Sequence, residues 1–167
     1  MHSIIGSIGH PEVVGIKGWT EGEAYVVENR EEADKLELDV DKPVCIVSQT
    51  TFNLKKFEEL VEIIENKGYN VIVVDTICNA TKERQESAGS LASEVDAMIV
   101  IGGKNSSNTQ KLFDICKSQC QNTYFVQSVS DLNFDLPKTA LKVGITAGAS
   151  TPNNIIEEVQ NYVRINF

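Results

Sequence analysis

The stretch "PVCIVSQTTFNLKKFEELVEIIENKG" (residues 43–68) decides the fold class. Its first part, "VCIVS", is a continuous apolar run, short enough for a strand and too uniform for a strand with one solvated face. Its last part spaces Leu54, Phe57, Leu60, Val61 and Ile64 three and four residues apart, as one face of a helix requires, and Gly68 stops it. Between them lies "QTTFN", a turn of hydroxyls and amides. Strand, polar turn and helix make the first half of a βαβ unit. A strand that is apolar on both faces belongs in a parallel sheet covered on both sides.

The same unit recurs outward in both directions. "HSIIGS" leads into "HPEVVGIKGWT", and "EAYVVEN" (23–29) into "REEADKLEL". "YNVIVVDT" (69–76) reads as a buried strand before "NATKERQESAGSLASEV". "AMIVIGG" (97–103) precedes "SNTQKLFDICKSQC", and "TYFVQS" (123–128) is followed by "SDLNFDL". "ALKVGITAGA" (140–149) leads into "TPNNIIEEVQNYVRINF". The alternation predicts an α/β chain of two small three-layer lobes with mainly parallel sheets, residues 1–76 and 77–167, the second ending in a helix. A loose repeat supports the division. "CIVS", "MIVIGG" and "VGIT" run into "QTTFN", "KNSSN" and "AGASTPN" at intervals of about 45–55 residues.

Composition narrows the function. The net charge of −9 argues against non-specific binding to nucleic acid or to an anionic membrane. No apolar run is long enough to span a bilayer, and "MHSIIGSIGHPE" lacks the basic and apolar regions of a signal peptide, so a cytoplasmic location is expected. In that compartment Cys45, Cys78, Cys116 and Cys120 are free thiols or metal ligands rather than disulfides.

In open parallel sheets, ligands sit at the carboxyl ends of the strands, beside helix N-termini. Those termini carry free N–H groups and about half a positive charge, which suits an anion such as phosphate. The three repeated turns are therefore candidate anion sites, although Ser, Thr and Asn there are also ordinary helix caps. In "GHPEV", His10 can donate to a phosphate and Glu12 can exchange a proton; a plain Gly-His-Pro turn accounts for the same residues. His2 is the only other histidine. Cys45, inside a strand, reads as a buried small hydrophobe. Cys116 and Cys120 stand i, i+4 on one helix with no second cluster to complete a metal site. Cys78 lies at a strand end before a helix, where a thiol can be a nucleophile, a cluster ligand or inert. Neither the G-x-x-x-x-G-K-[ST] nor the G-x-G-x-x-G pattern occurs, which argues against a nucleotide.

Taken in order, "GHPEVVG", "SQTT", "DTICNATKERQE", "GGKNSSNT" and "VGITAGASTP" resemble the 4-hydroxy-3-methylbut-2-enyl diphosphate reductases, the LytB family of the non-mevalonate isoprenoid pathway. The resemblance implies a trefoil of α/β lobes around a 4Fe-4S cluster held by three cysteines, one from each lobe. It also implies reductive dehydroxylation of an allylic diphosphate to isopentenyl and dimethylallyl diphosphate. Electrons would come from an external donor such as ferredoxin or flavodoxin.

By motif, Cys78 would be one cluster ligand and His10 a contact to the substrate. Glu12 would deliver protons to the leaving hydroxyl, with Thr50 in the same hydrogen-bond network and touching substrate. Ser106, Asn108 and Ser150 would hold the diphosphate, and Ser107 would line the same pocket. The family's first lobe has no counterpart here, nor have two cluster cysteines and two histidines. The chain thus resembles the second and third lobes of such a reductase, inactive alone and prone to self-association through apolar surface that the missing lobe would cover. A non-catalytic phosphate- or diphosphate-binding α/β module is the alternative.

Overall fold

The computed structural model describes residues 1–21, 24–132 and 140–166. Glu23 of the expected strand 23–29 and residues 133–136 of "SDLNFDL" lie outside them. The chain divides into two compact units, Met1–Asn79 and Ala80–Phe167.

The first unit alternates as its sequence alternates: β1 (His2–Ile5), α1 (Pro11–Trp19), β2 (Ala24–Val27), α2 (Arg30–Lys35), β3 (Val44–Ser48), α3 (Leu54–Glu65) and β4 (Val71–Val73). All pairings are parallel, in the order β2-β1-β3-β4. The predicted stripe of α3 is the buried one: Phe57, Leu60, Val61 and Ile64 pack with Ile5, Val27, Val44 and Ile46 of the sheet. Full burial of residues such as Leu60 and Ile64 stabilises by about 1.5–3 kcal/mol each. Gly68 follows α3 with φ +81, a conformation that a side chain would strain. On the other face, Val13 and Ile16 of α1 cover Ile4, Ala24, Val26 and Val47.

Two expectations need correction here. The run 69–76 is not a buried strand. Its ladder is only Val71–Val73, at the sheet edge, with Ile72 55% and Val74 44% exposed. An edge strand has one neighbour, so apolar residues there are left partly wet. Cys45 is half-buried, not buried. It aligns with His2 and Ile72, both exposed, in a row near the amino ends of the strands; of the sheet residues packed around α1, Ile4, Val26 and Val47 lie further along.

The second unit comprises α4 (Asn79–Glu94, beginning at the boundary), β5 (Ala97–Ile101), α5 (Ser107–Gln119), β6 (Thr123–Val126), a 3₁₀ turn (Val129–Asp131), β7 (Val143–Ala147) and α6 (Asn153–Asn166). Its sheet is parallel, in the order β6-β5-β7. All five residues of the central β5 are buried, as its apolar sequence requires. Met98 and Val100 pack with Ala88 and Ala92 of α4 and with Leu112 and Cys116 of α5. Ile99 and Ile101 face Val126 and, from α6, Val159 and Val163.

Candidate functional site

In the first unit the carboxyl ends of β1, β3 and β4 converge on one residue, Thr50. Its backbone N–H donates to Glu12 Oε2 at 2.7 Å and its hydroxyl to Glu12 Oε1 at 2.8 Å, so both carboxylate oxygens are engaged. Its carbonyl accepts the backbone N–H of Cys78 at 3.1 Å, which fixes the chain that presents the exposed Cys78 thiol. Hydrogen bonds to a charged carboxylate are the strong kind. They hold Glu12 in place where a free glutamate would sample several rotamers.

Local sequence explains how each group arrives. His10 is the N-cap of α1, its Nδ1 accepting the Glu12 N–H at 3.3 Å, and Pro11 starts the helix with its φ already set. With Nδ1 accepting, a neutral ring carries its proton on Nε2, a donor. Asn53 caps α3 by accepting from Lys56 N–H at 2.9 Å. Thr76 brackets the end of β3: its hydroxyl accepts Ser48 N–H at 2.8 Å and donates to Ser48 C=O at 2.5 Å.

In the second unit β5 and β7 are neighbours, so the turns after them lie side by side. Ser106 caps α5 and accepts Thr109 N–H at 3.3 Å. Gly148 N–H and Thr151 Oγ1 both donate to Ile101 C=O, at 2.9 and 3.1 Å, which fastens the turn carrying the exposed Ser150 to the end of β5. At the N-terminus of α5, Asn108 is 7% exposed, yet neither its Oδ1 nor its Nδ2 has a partner; Thr109 Oγ1, fully buried, has none either. Thr109 fills the space that two glycines leave: a Cβ at Gly148 would lie 2.1 Å from its Oγ1, and one at Gly102 2.6 Å.

The structure thus brings His10, Glu12, Thr50 and Cys78 together in the first unit, and Ser106, Ser107, Asn108 and Ser150 to the two adjacent turns of the second. Sequence reasoning missed Gln49, Thr76 and Thr109. Their bonds reach residues distant in the chain or, for Thr109, no residue at all, and no local pattern marks them. The other cysteines stand apart. Cys116 is buried with its thiol directed at Ala88 C=O, 3.7 Å away; burial, and secondarily Cys120, push that thiol up to about 11. Cys120 is likewise buried, against Val95 C=O. Among the described residues no group of three His, Cys, Asp or Glu side chains could hold a metal ion.

Parallel sheets with polar side chains gathered at the carboxyl ends of their strands define an α/β protein of the class whose ligand sites lie there. The family described as "LytB protein" matches residues 2–164, and the chain belongs to that family. It is 47% identical over 156 residues to the 4-hydroxy-3-methylbut-2-enyl diphosphate reductase of Caldanaerobacter subterraneus subsp. tengcongensis, covering 93% of this chain and 54% of that protein. The reductase of the same name from Clostridioides difficile is 46% identical over 160 residues, 96% of this chain and 57% of that protein. Among solved structures, the E-1-hydroxy-2-methyl-but-2-enyl-4-diphosphate reductase from Plasmodium falciparum superposes with a TM-score of 0.88 at 29% identity, over 98% of this chain and 51% of that one. The chain spans about half the length of the curated relatives it matches.

Proposed function

We propose that this chain is part of a 4-hydroxy-3-methylbut-2-enyl diphosphate reductase, a cytoplasmic oxidoreductase of the non-mevalonate isoprenoid pathway. The observation that carries this reading is the convergence on Thr50 of a clamped carboxylate, Glu12, and a tethered, exposed thiol, Cys78. In the reaction, two electrons and two protons replace the allylic C–O bond with C–H and release the hydroxyl as water. Glu12 delivers a proton to that hydroxyl, and Thr50 holds the carboxylate on station. His10, donating from Nε2, contacts the substrate. Ser106, Ser107, Asn108 and Ser150 bind its diphosphate, aided by the amino end of α5. A 4Fe-4S cluster, when bound, supplies the electrons, drawn from a donor such as ferredoxin or flavodoxin. Cys78, exposed at the strand ends, would give that cluster one thiolate ligand. Its other ligands would come from the part of the relatives' length that this chain does not span. All four cysteines are free.

The test is anaerobic iron and sulfide loading of the chain mixed with the separately expressed first lobe of a relative, with and without Cys78→Ser. The expected result is cluster absorbance only when both pieces are present, lost in the serine variant. Equal absorbance with Cys78→Ser would remove Cys78 from the ligand set. The two unpartnered amide atoms of Asn108 favour a second reading for the chain alone, a diphosphate-binding module without redox chemistry. Pyrophosphate binding with no cluster in any mixture would select it.

A further inference from the structure

We infer that Gln49 is the positioning residue that places the Glu12-bearing loop against Thr50. Gln49 follows β3 directly and its side chain is fully buried. A buried primary amide must have its polar atoms satisfied or cost stability. Here the amide spans two loops. Oε1 accepts the backbone N–H of Ser7 at 2.8 Å, across 42 residues of sequence, and Nε2 donates to Thr51 Oγ1 at 3.2 Å. The Gln49 backbone is anchored as well, its N–H donating to Ile5 C=O at 3.3 Å and its C=O accepting Phe52 N–H at 3.1 Å.

The two loops so joined are the ones that must meet for the site to exist. Ser7 opens the segment that ends at the His10 cap and Glu12; Thr50 is the next residue after Gln49. Gly6 shows how closely they are fitted: a Cβ there would lie 2.8 Å from Gln49 Oε1 and 2.7 Å from Val13 Cγ2. The Glu12–Thr50 contact lies on the wetter side of this junction, where Thr50 is exposed. On its own, such a contact competes with water and with side-chain entropy. A buried amide bridge behind it removes the loop freedom that would otherwise separate the pair. The catalytic consequence rests on reading Glu12 as the proton donor; the structural content does not.

The test uses the isotope-labelled 167-residue chain in solution. In the wild type, the Thr50 amide proton should move with Glu12 ionisation, because it donates to that carboxylate. His10 and Cys78 also lie near Thr50, so Glu12→Gln, which should abolish the response, identifies its source. In Gln49→Asn, one methylene too short to bridge, and in Gly6→Ala, which crowds the bridge and leaves Gln49 intact, the Thr50 response should be lost. Hydrogen exchange at Ser7 and Thr50 should accelerate at least tenfold while the amides of β3 and α3 keep their wild-type pattern. Retention of the Thr50 response, with exchange within twofold of wild type, would overturn the inference. So would loss of folding in both variants, since the role would then be fold stability. Failure of cluster loading or turnover leaves these readouts untouched, so the functional reading and this inference can fail separately.

Discussion

The strand ends of the two units carry similar residues in opposite states of completion. In the first unit each polar group in the network is used: Glu12 by Thr50, Gln49 by Ser7 and Thr51, Ser48 by Thr76. In the second, Asn108 and Thr109 are buried with three polar atoms left open. A buried hydrogen-bonding atom without a partner costs about 1–3 kcal/mol. On the proposed function, the difference teaches that the first unit would hold a reacting group still, whereas the second would be completed by something that it binds. Preorganised groups contribute to rate and open donors contribute to binding, so substitutions in the two units should separate along that line.

The largest effect belongs to Glu12. In a complete reductase carrying this segment, Glu12→Gln should lower kcat by roughly 10²–10⁴, the range for loss of a positioned acid, with KM changed far less. A rise in KM at constant kcat would make Glu12 a binding residue and erase the contrast.

Next comes a pair of substitutions with opposite signs. Asn108→Leu removes two unpartnered buried atoms and keeps the branched outline of the side chain, with bulkier methyls in their place. Thermal stability should hold or rise, while inorganic pyrophosphate binding, measured by calorimetry, should weaken at least tenfold. Thr76→Val does the reverse. It strips the Ser48 N–H and C=O of their shared partner and should destabilise by about 1–3 kcal/mol in urea, with pyrophosphate binding unchanged. Destabilisation in both Asn108→Leu and the smaller Asn108→Ala would mean that its amide is already satisfied.

How much of this contrast could be read from the chain differs by level. The helix over 54–65 was legible because its apolar spacing and its cap residue Asn53 are local facts. So was β5, whose five apolar residues leave no face for water. The exposure of β4 was not, because "VIVV" has the same composition at an edge as at a centre and only the strand order tells them apart. The grouping of His10, Glu12, Thr50 and Cys78 came from resemblance; spacing alone left each with an ordinary explanation. Gln49 escaped because nothing local in "SQTT" distinguishes a buried bridging amide from a solvated one. Thr109 escaped because its surroundings are made by glycines 7 and 39 residues away, at Gly102 and Gly148.

A smaller effect tests whether reactivity follows the same division. Cys78 is exposed at the strand ends, whereas Cys116 is enclosed between α4 and α5 with its thiol pushed up to about 11. Brief alkylation at pH 8 should label Cys78 and spare Cys116. The folded chain also holds the Cys116 proton to higher pH than the unfolded chain, whose thiol titrates near the ordinary value of 9.0. Its contribution to stability is therefore complete below pH 9 and declines as pH rises from there toward 11. Urea midpoints at pH 8 and 10.5 should fall less in Cys116→Ala than in the wild type. Equal falls would assign the alkaline loss to other groups.

The smallest effect concerns the one residue among those described that crosses the line. Ser3 lies in the first unit, fully buried, and its hydroxyl has no partner. It pairs in register with Tyr25 and Ile46, toward the amino end of β1 and away from the turns that carry the site. If an open buried atom marked a binding site wherever it occurred, Ser3 would be one. The comparison requires position as well: at a helix N-terminus beside a second polar turn, an open donor is placed where the proposed diphosphate would reach it, whereas in the middle of a sheet it is only a small side chain that fits. Ser3→Ala should therefore leave pyrophosphate binding unchanged and raise stability by up to about 1 kcal/mol, since the buried hydroxyl is removed with almost no loss of volume. Loss of more than about 1 kcal/mol would show that the hydroxyl is hydrogen-bonded in solution, through a buried water or a rotated side chain. The unpartnered atoms of Asn108 would then need the same scrutiny before they could be assigned to a ligand.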